Sequence, residues 1–279
     1  MKPFRIAAFA DEADAQIDGQ IQAMRKNHVE LLEVRNVDGT NVSKISLEKA
    51  KEVRKKLEAN GLGVWSIGSP IGKIKITDPF APHLDEFKHT LEIAHTMGAT
   101  CIRLFSFYAD GDWTQAKRDT VMEQLTKFTD VAEGSSVLLC HENEKGIYGD
   151  IAPRCLDILK SVPKLKAIFD PANFIQCGQP TLPAWEMLAP YVYYCHIKDA
   201  RTDGTVVPAG KGEGHLPEIL SAFAKQGGGT LTLEPHLKVF SGLDSLENGE
   251  KSVVTDAYPS NEAAFAAACS ALYEILPNA

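Results

Sequence analysis

Eight short apolar, β-rich runs recur along the chain, and longer segments with a helical spacing of apolar residues separate them. Runs of this length are typical of buried strands. Strands that alternate with helices predict a parallel sheet, because each helix carries the chain back to the edge at which the next strand begins. The predicted strands cover residues 4–10, 29–35, 63–68, 100–107, 136–142, 165–170, 191–198 and 230–235.

Amphipathic helices are predicted in several of the intervening segments. In residues 46–60 the apolar side chains fall on one face, and lysines and glutamates fill the other. Ser46 is a typical N-cap residue, and Gly61 is a typical residue at which a helix ends. Similar patterns predict helices over residues 83–97, 114–133 and 261–275.

Eight strand–helix units favour a closed (β/α)8 TIM barrel, an α/β fold, over an open doubly wound sheet. The 279 residues suit one such barrel, and no segment rich in Pro, Gly or Ser divides them. We therefore expect a single domain over residues 1–279. The first strand is followed by DEAD rather than by a glycine-rich dinucleotide-binding motif, and no phosphate-binding GxxxxGK[ST] motif occurs.

Composition and charge narrow the functional classes. A formal net charge of −8 disfavours a surface for nucleic acid or anionic membrane. No apolar run has the length of a membrane span or of a signal-peptide core. The six cysteines lack CxxC spacing, which is typical of thiols in a reducing compartment. We expect a cytoplasmic protein without nucleic-acid or membrane partners.

Four of the predicted strands carry an acidic residue or a histidine at or near their carboxyl ends. The segments LLCHENE, AIFDPANF, YYCHIKD and LTLEPH carry Glu142, Asp170, His196 and Glu234, each separated from the next by about one strand–helix unit. Barrel enzymes build their sites at the carboxyl ends of the strands. Each residue alone would be an ordinary polar group at a strand end. Together, three carboxylates and one imidazole predict a site for a divalent metal ion.

Further polar residues are candidates for contacts with a substrate. Strand alternation places Lys198 on the face of His196, and His236 on the face of Glu234. His215 lies in a glycine-rich loop. The long polar stretch over residues 237–260 is expected to act as a lid or subunit contact, or to be mobile.

Arg35 ends the second predicted strand and has two interpretations of equal weight. A guanidinium is suited to bidentate contacts with a substrate anion. The alternative is a salt bridge within the barrel, with Glu33 or Glu12 as its partner.

With these motifs the chain resembles the xylose isomerase-like TIM-barrel superfamily, and within it the sugar phosphate isomerase/epimerase family. The matching pieces are the Glu of LLCHENE, the Asp of FDPANF, the His of CHIKD, the Glu of LEP and the loop GKGEGH at residues 210–215. The resemblance covers essentially the whole chain. It implies that the metal ligands are Glu142, Asp170, His196 and Glu234.

The resemblance implies a divalent-metal-dependent isomerase or epimerase of a small sugar or sugar derivative, and a homo-oligomer. In the family mechanism the metal polarises the carbonyl of the sugar, and the proton is transferred through a metal-bound cis-enediolate. Glu142 and Glu234 correspond to the catalytic carboxylates that remove and return this proton. Oxygen-rich ligation favours Mn2+, with Mg2+, Co2+ or Zn2+ as alternatives.

One position departs from the family pattern. Many epimerases of the family have a histidine three residues after the metal-binding aspartate, where this chain has Asn173. An amide can bind a sugar oxygen but cannot carry a proton near neutral pH. A keto-inositol or keto-sugar dehydratase on the same metal site therefore stays open. A non-catalytic sugar-binding barrel is the alternative from another class, and the acidic charge disfavours an apurinic-site endonuclease.

Overall fold

The eight predicted strands close into a parallel barrel in the computed structural model, which describes residues 3–240 and 257–276. Each strand pairs with its neighbours in chain order, and the last pairs with the first from Phe4–Gly229 to Ala8–Leu233. The predicted barrel is therefore confirmed, and the domain bounds of 1–279 stay a prediction. The strands are β1 Phe4–Ala8, β2 Leu31–Val34, β3 Gly63–Ile67, β4 Cys101–Leu104, β5 Leu138–Glu142, β6 Lys166–Phe169, β7 Val192–Ile197 and β8 Gly229–Leu233.

Helices surround this barrel and bury their apolar faces against the strands. The Ser46 side chain accepts the Lys49 N–H at 3.1 Å, which confirms the predicted N-cap. The helix predicted over residues 83–97 begins earlier, at Phe80. Pro82 is compatible with this start because it lies in the first turn, where no N–H is needed. The helices are α1 Ile17–Lys26, α2 Leu47–Ala59, α3 Phe80–Met97, α4 Gln115–Val131, α5 Ala152–Ser161, α6 Pro171–Gln176, α7 Thr181–Leu188, α8 Leu216–Lys225 and α9 Asn261–Ile275.

The inside of the barrel changes from apolar to charged along the strands. A buried apolar layer, formed by Ala7, Trp65, Cys101, Cys140, Ile168 and Tyr194, fills its lower part. Side chains two positions apart on a strand point to the same face. The residues that follow four members of this layer by two positions are charged or titratable: Arg103, Glu142, Asp170 and His196.

Three further expectations concern the cysteines, membranes and the long polar stretch. None of the six cysteines, all of which lie in the described residues, forms a disulfide bond. Within residues 3–240 and 257–276, each helix is too short or too polar to span a bilayer. Most of the stretch 237–260 lies outside the described residues, so its role as a lid or subunit contact stays a prediction.

Candidate metal centre

The four residues predicted as metal ligands meet at the carboxyl end of the barrel. Glu142 is the last residue of β5, and His196 is the next-to-last residue of β7. Asp170 follows β6 and caps α6 by accepting the Asn173 N–H at 2.9 Å. Glu234 follows β8. All four side chains are buried, and one potential ligand atom from each lies within 4.8 Å of the others.

Two cationic groups stand between the three carboxylates. His196 Nδ1 lies 2.8 Å from Glu142 Oε1 and 3.3 Å from Glu234 Oε2. Lys198 Nζ lies 3.0 Å from Asp170 Oδ2 and 3.3 Å from the same Glu234 oxygen. Strand alternation predicts Lys198 beside His196, and the structure brings it into the cluster.

Burial and the convergence of carboxylates shift the pKa values of two residues of the cluster. Burial raises the pKa of Asp170 to about 7, and the charges of Glu234 and Glu142 add to this shift against the effect of Lys198. Burial alone would lower the pKa of His196, but the carboxylates of Glu142 and Glu33 outweigh it and raise this pKa well above its usual value. The protein thus retains protons where three buried carboxylates converge. This donor set of carboxylate oxygens and one imidazole nitrogen fits a divalent metal.

Glu142 and Glu234 each use their second carboxylate oxygen to accept a hydrogen bond from a buried arginine. Arg103 Nη1 donates to Glu142 Oε2 at 3.1 Å, and Arg35 Nη1 donates to Glu234 Oε1 at 3.2 Å. Both guanidinium groups lie over the Phe9 ring, at 5.0 Å and 4.4 Å from its centroid. Each glutamate is therefore fixed by a guanidinium on one oxygen and faces the cluster with the other.

Comparison with known families shows the family of this chain. The family model described as xylose isomerase-like TIM barrel matches residues 22–253. This chain belongs to the xylose isomerase-like TIM-barrel family. A search of curated proteins finds no significant match.

Solved structures similar to this xylose isomerase-like barrel include proteins with different chemistry. D-psicose 3-epimerase from Clostridium cellulolyticum, with D-tagatose, shares 16% identity at a TM-score of 0.75, covering 97% of this chain and 98% of its own. The probable 3-DHS dehydratase AsbF from Bacillus anthracis shares 16% identity at a TM-score of 0.74. The match covers 98% of this chain and 99% of the dehydratase chain. The IolI protein with a bound zinc atom shares 14% identity at a TM-score of 0.72, and the match covers 98% of both chains. At such identities the likeness shows the fold alone.

Arg35 lies at the site, but carboxylates of the protein surround it. Its Nε and Nη2 donate to Asp11 at 2.9 and 3.1 Å, and Nη2 also donates to Glu12 at 3.0 Å. Its side chain is fully buried. The salt-bridge interpretation with Glu12 thus has direct structural support, whereas a contact between Arg35 and substrate stays a prediction.

The other predicted substrate-binding residues differ in position. Asn173 donates through Nδ2 to the Asn143 carbonyl at 2.9 Å, and its Oδ1 is buried without a hydrogen bond in the described residues. His236 is buried beside Glu234, with its Nδ1 3.5 Å from Glu234 Oε1. His215 is exposed, lies outside the cluster and hydrogen-bonds Thr181 through Nδ1 at 3.1 Å. Their roles toward a substrate stay predictions.

Sequence reasoning did not assign Glu33 or Arg103 to the site. Glu33 Oε2 lies 3.4 Å from His196 Nε2, on the side of the imidazole opposite the cluster, and Tyr194 donates its hydroxyl to Glu33 Oε1 at 2.9 Å. The charge of His196 keeps the pKa of Glu33 below its usual value, although burial acts in the opposite direction. The sequence did contain a sign of both residues, because Glu33 and Arg103 are charged residues within otherwise apolar predicted strands.

Asn143 is another residue near the cluster that the sequence did not predict. Its side-chain amide donates to the Asp170 carbonyl and accepts the Asp170 N–H, both at 2.9 Å. These paired hydrogen bonds extend the link between β5 and β6 by one residue beyond the strands. Asn143 thereby fixes the backbone that carries Asp170.

The glycine-rich loop at residues 210–215 is organised by Asp199, which follows Lys198. The Asp199 carboxylate accepts the backbone N–H groups of Gly210, Gly212 and Gly214 at 2.9–3.0 Å. A Cβ atom on Gly212 would lie 2.4 Å from the Ala200 carbonyl oxygen, so only glycine fits there. The loop is held against the end of β7, close to the cluster.

Proposed function

We propose that this protein is a divalent-metal-dependent isomerase or epimerase of a small sugar or sugar derivative. The observation that carries the proposal is that four buried side chains converge at the carboxyl end of the barrel: Glu142, Asp170, His196 and Glu234. Within the proposal these residues hold the metal. When bound, a divalent ion acidifies the carbon beside a sugar carbonyl by withdrawing charge from the carbonyl oxygen.

The residues of the chain supply the remaining chemistry. Glu142 and Glu234 are proposed to remove and return the proton, each oriented by its arginine. Although burial would lower the pKa of Lys198, Asp170 and Glu234 outweigh it and raise that pKa above its usual value. Lys198 therefore stays protonated and donates to a substrate oxygen. The buried Asn173 Oδ1 accepts a hydrogen bond from a substrate hydroxyl.

A dehydratase acting on a keto-sugar or keto-inositol is the second candidate. Two observations favour it: Asn173 cannot carry the proton that a histidine would carry, and the buried ammonium of Lys198 stands at the cluster. An ammonium in this position can donate a proton to a departing hydroxyl group. Product mass separates the two candidates, because isomerisation and epimerisation conserve mass and dehydration releases one water.

Several finer features belong to the same proposal. Mn2+ is the expected ion, since oxygen ligands predominate, with Mg2+, Co2+ or Zn2+ as alternatives. The substrate is expected to be a small-molecule sugar, the location cytoplasmic and the assembly a homo-oligomer.

The deciding experiment is incubation of the Mn2+-loaded protein with a panel of keto- and aldo-sugars in D2O, followed by NMR and mass spectrometry. Solvent deuterium should enter the carbon beside the carbonyl in one substrate of the panel. Glu142→Gln and Glu234→Gln should each lower its turnover by about 100-fold or more, whereas Glu123→Gln, on the exposed face of α4, should leave it unchanged. Full turnover in either of the first two variants would show that the assigned acid and base are wrong.

A further inference from the structure

A second group of potential ligands adjoins the four-residue cluster. It consists of Glu12, Glu234 and His236, all buried, with one potential ligand atom from each within 4.8 Å of the others. His236 Nδ1 lies 3.5 Å from Glu234 Oε1 and 3.7 Å from Glu12 Oε1. This nitrogen makes no hydrogen bond within the described residues. Two carboxylate oxygens and a buried imidazole nitrogen at these separations match the ligand types and spacing of a divalent ion.

The guanidinium of Arg35 already lies on two of these three ligands. Its Nη2 is 3.0 Å from Glu12 Oε1, and its Nη1 is 3.2 Å from Glu234 Oε1, the same oxygens that face His236. Nε and Nη2 also donate to Asp11. Its charge is permanent, because an arginine is not deprotonated in proteins.

Two aromatic rings also contact this guanidinium. The Phe9 ring lies 4.4 Å from it and the Phe240 ring 4.9 Å. A divalent ion bound to Glu12 and Glu234 would stand directly against this positive charge and would be repelled by it. A fixed cation therefore stands where a second metal would bind.

We propose that Arg35 takes the place of a second metal ion, so that the protein holds one ion, and that Glu12, Glu234 and His236 form a latent second metal site. This inference rests on the proposed function for its first site. Removal of Arg35 leaves Asp11, Glu12 and Glu234 buried without their cation, which is unfavourable. A divalent ion held by Glu12, Glu234 and His236 would then restore the balance of charge.

The test is the number of Mn2+ ions bound per folded chain, measured by equilibrium dialysis and elemental mass spectrometry. Arg35→Met removes the charge and keeps a flexible apolar side chain beside the two phenylalanine rings. The double variant Arg35→Met with His236→Gly also removes the third ligand, and glycine adopts the positive φ of 45° at this position without strain. Arg25→Met, on the exposed face of α1, is the matched control.

The expected counts are about one ion for the wild type and Arg25→Met, about two for Arg35→Met, and about one for the double variant. Two Mn2+ ions bridged by one carboxylate, roughly 3.5–4 Å apart, should also give a spin-coupled electron paramagnetic resonance spectrum in Arg35→Met alone.

Two ions in the wild type, or one in folded Arg35→Met, would overturn this inference and leave the proposed function intact. If Arg35→Met does not fold, Arg35→Gln serves as the second variant, because it keeps hydrogen-bond donors and loses the charge. It should also bind about two ions, and one ion in this folded variant would equally overturn the inference. No bound ion in the wild type would overturn both proposals.

Discussion

At the scale of single residues, Glu33 illustrates how a buried charge positions a candidate ligand. Its carboxylate lies 3.4 Å from His196 Nε2, which leaves Nδ1 directed at Glu142 and Glu234. A carboxylate behind a ligating histidine fixes the ring and increases its basicity. A neutral amide in the place of this carboxylate cannot supply the same charge.

We therefore expect Glu33→Gln to weaken Mn2+ binding by about 10- to 100-fold with little change in the fold. Competition with a chelator of known affinity measures this change, and circular dichroism checks the fold. Glu30→Gln, at an exposed position three residues before, is the control and should bind Mn2+ like the wild type. Unchanged affinity in Glu33→Gln would show that Glu33 does not support His196.

His141 gives a prediction about pH. Its side chain is buried on the face opposite Glu142, with Nε2 2.9 Å from Ser106 Oγ, and burial lowers its pKa to about 3. Since the unfolded chain binds this proton near pH 6.5, the contribution to stability is complete above pH 6.5 and is lost as the pH falls toward 3. At pH 5 the loss should be about 2 kcal/mol.

Urea denaturation at pH 7 and pH 5 checks this prediction by comparing the wild type with His141→Asn. The variant should lose about 2 kcal/mol less between the two pH values than the wild type does. Equal losses in both proteins would mean that other groups cause the acid sensitivity.

At the scale of elements, the turn after β7 depends on one carboxylate. Asp199 accepts three glycine N–H groups from the loop 210–215, in addition to that of Ala200. Asp199→Asn would remove the charge and turn an amide N–H2 group toward these donors. We expect a loss of about 2 kcal/mol in the free energy of unfolding and faster proteolysis within the loop.

Urea denaturation and limited proteolysis measure the two effects. Asp203→Asn is the control, because Asp203 is exposed in the neighbouring turn and its hydrogen bond from the Thr205 N–H can be kept by an amide oxygen. If Asp199→Asn were as stable as this control, the carboxylate would not be what holds the loop.

At the scale of the whole molecule, metal binding should link the last strands of the barrel to one another. Asp170, His196 and Glu234 come from the ends of β6, β7 and β8, and β8 pairs with β1 to close the barrel. Binding to the native state alone adds about 2.7 kcal/mol at a free metal concentration 100 times the dissociation constant. We expect removal of the metal by a chelator to lower the melting temperature by roughly 5 °C.

Differential scanning fluorimetry with and without chelator checks this expectation. The variant Asp170→Asn, which lacks one proposed ligand, should show a smaller difference between the two conditions than the wild type does. A melting temperature insensitive to the chelator would contradict a metal site in the barrel.

By itself, the sequence determined the barrel and the positions of four candidate ligands. Alternating strand and helix patterns are local, and their repetition leaves few ways to bury the apolar faces. The two-residue alternation of a strand is equally local, and it suffices to place Lys198 beside His196. The ends of elements were predicted less accurately. For example, α3 begins at Phe80, before Pro82, whereas the prediction placed its start after this proline.

Only the tertiary structure decided which charges meet. Arg35 and Glu234 are far apart in sequence and form an ion pair because β8 closes onto β1, beside β2. The assignment of Arg35 to Asp11, Glu12 and Glu234, rather than to Glu33, follows from the positions of side chains around the closed barrel. Sequence spacing carries no information about such contacts across the barrel, because they depend on closure and on the packing of rings such as Phe9 and Phe240.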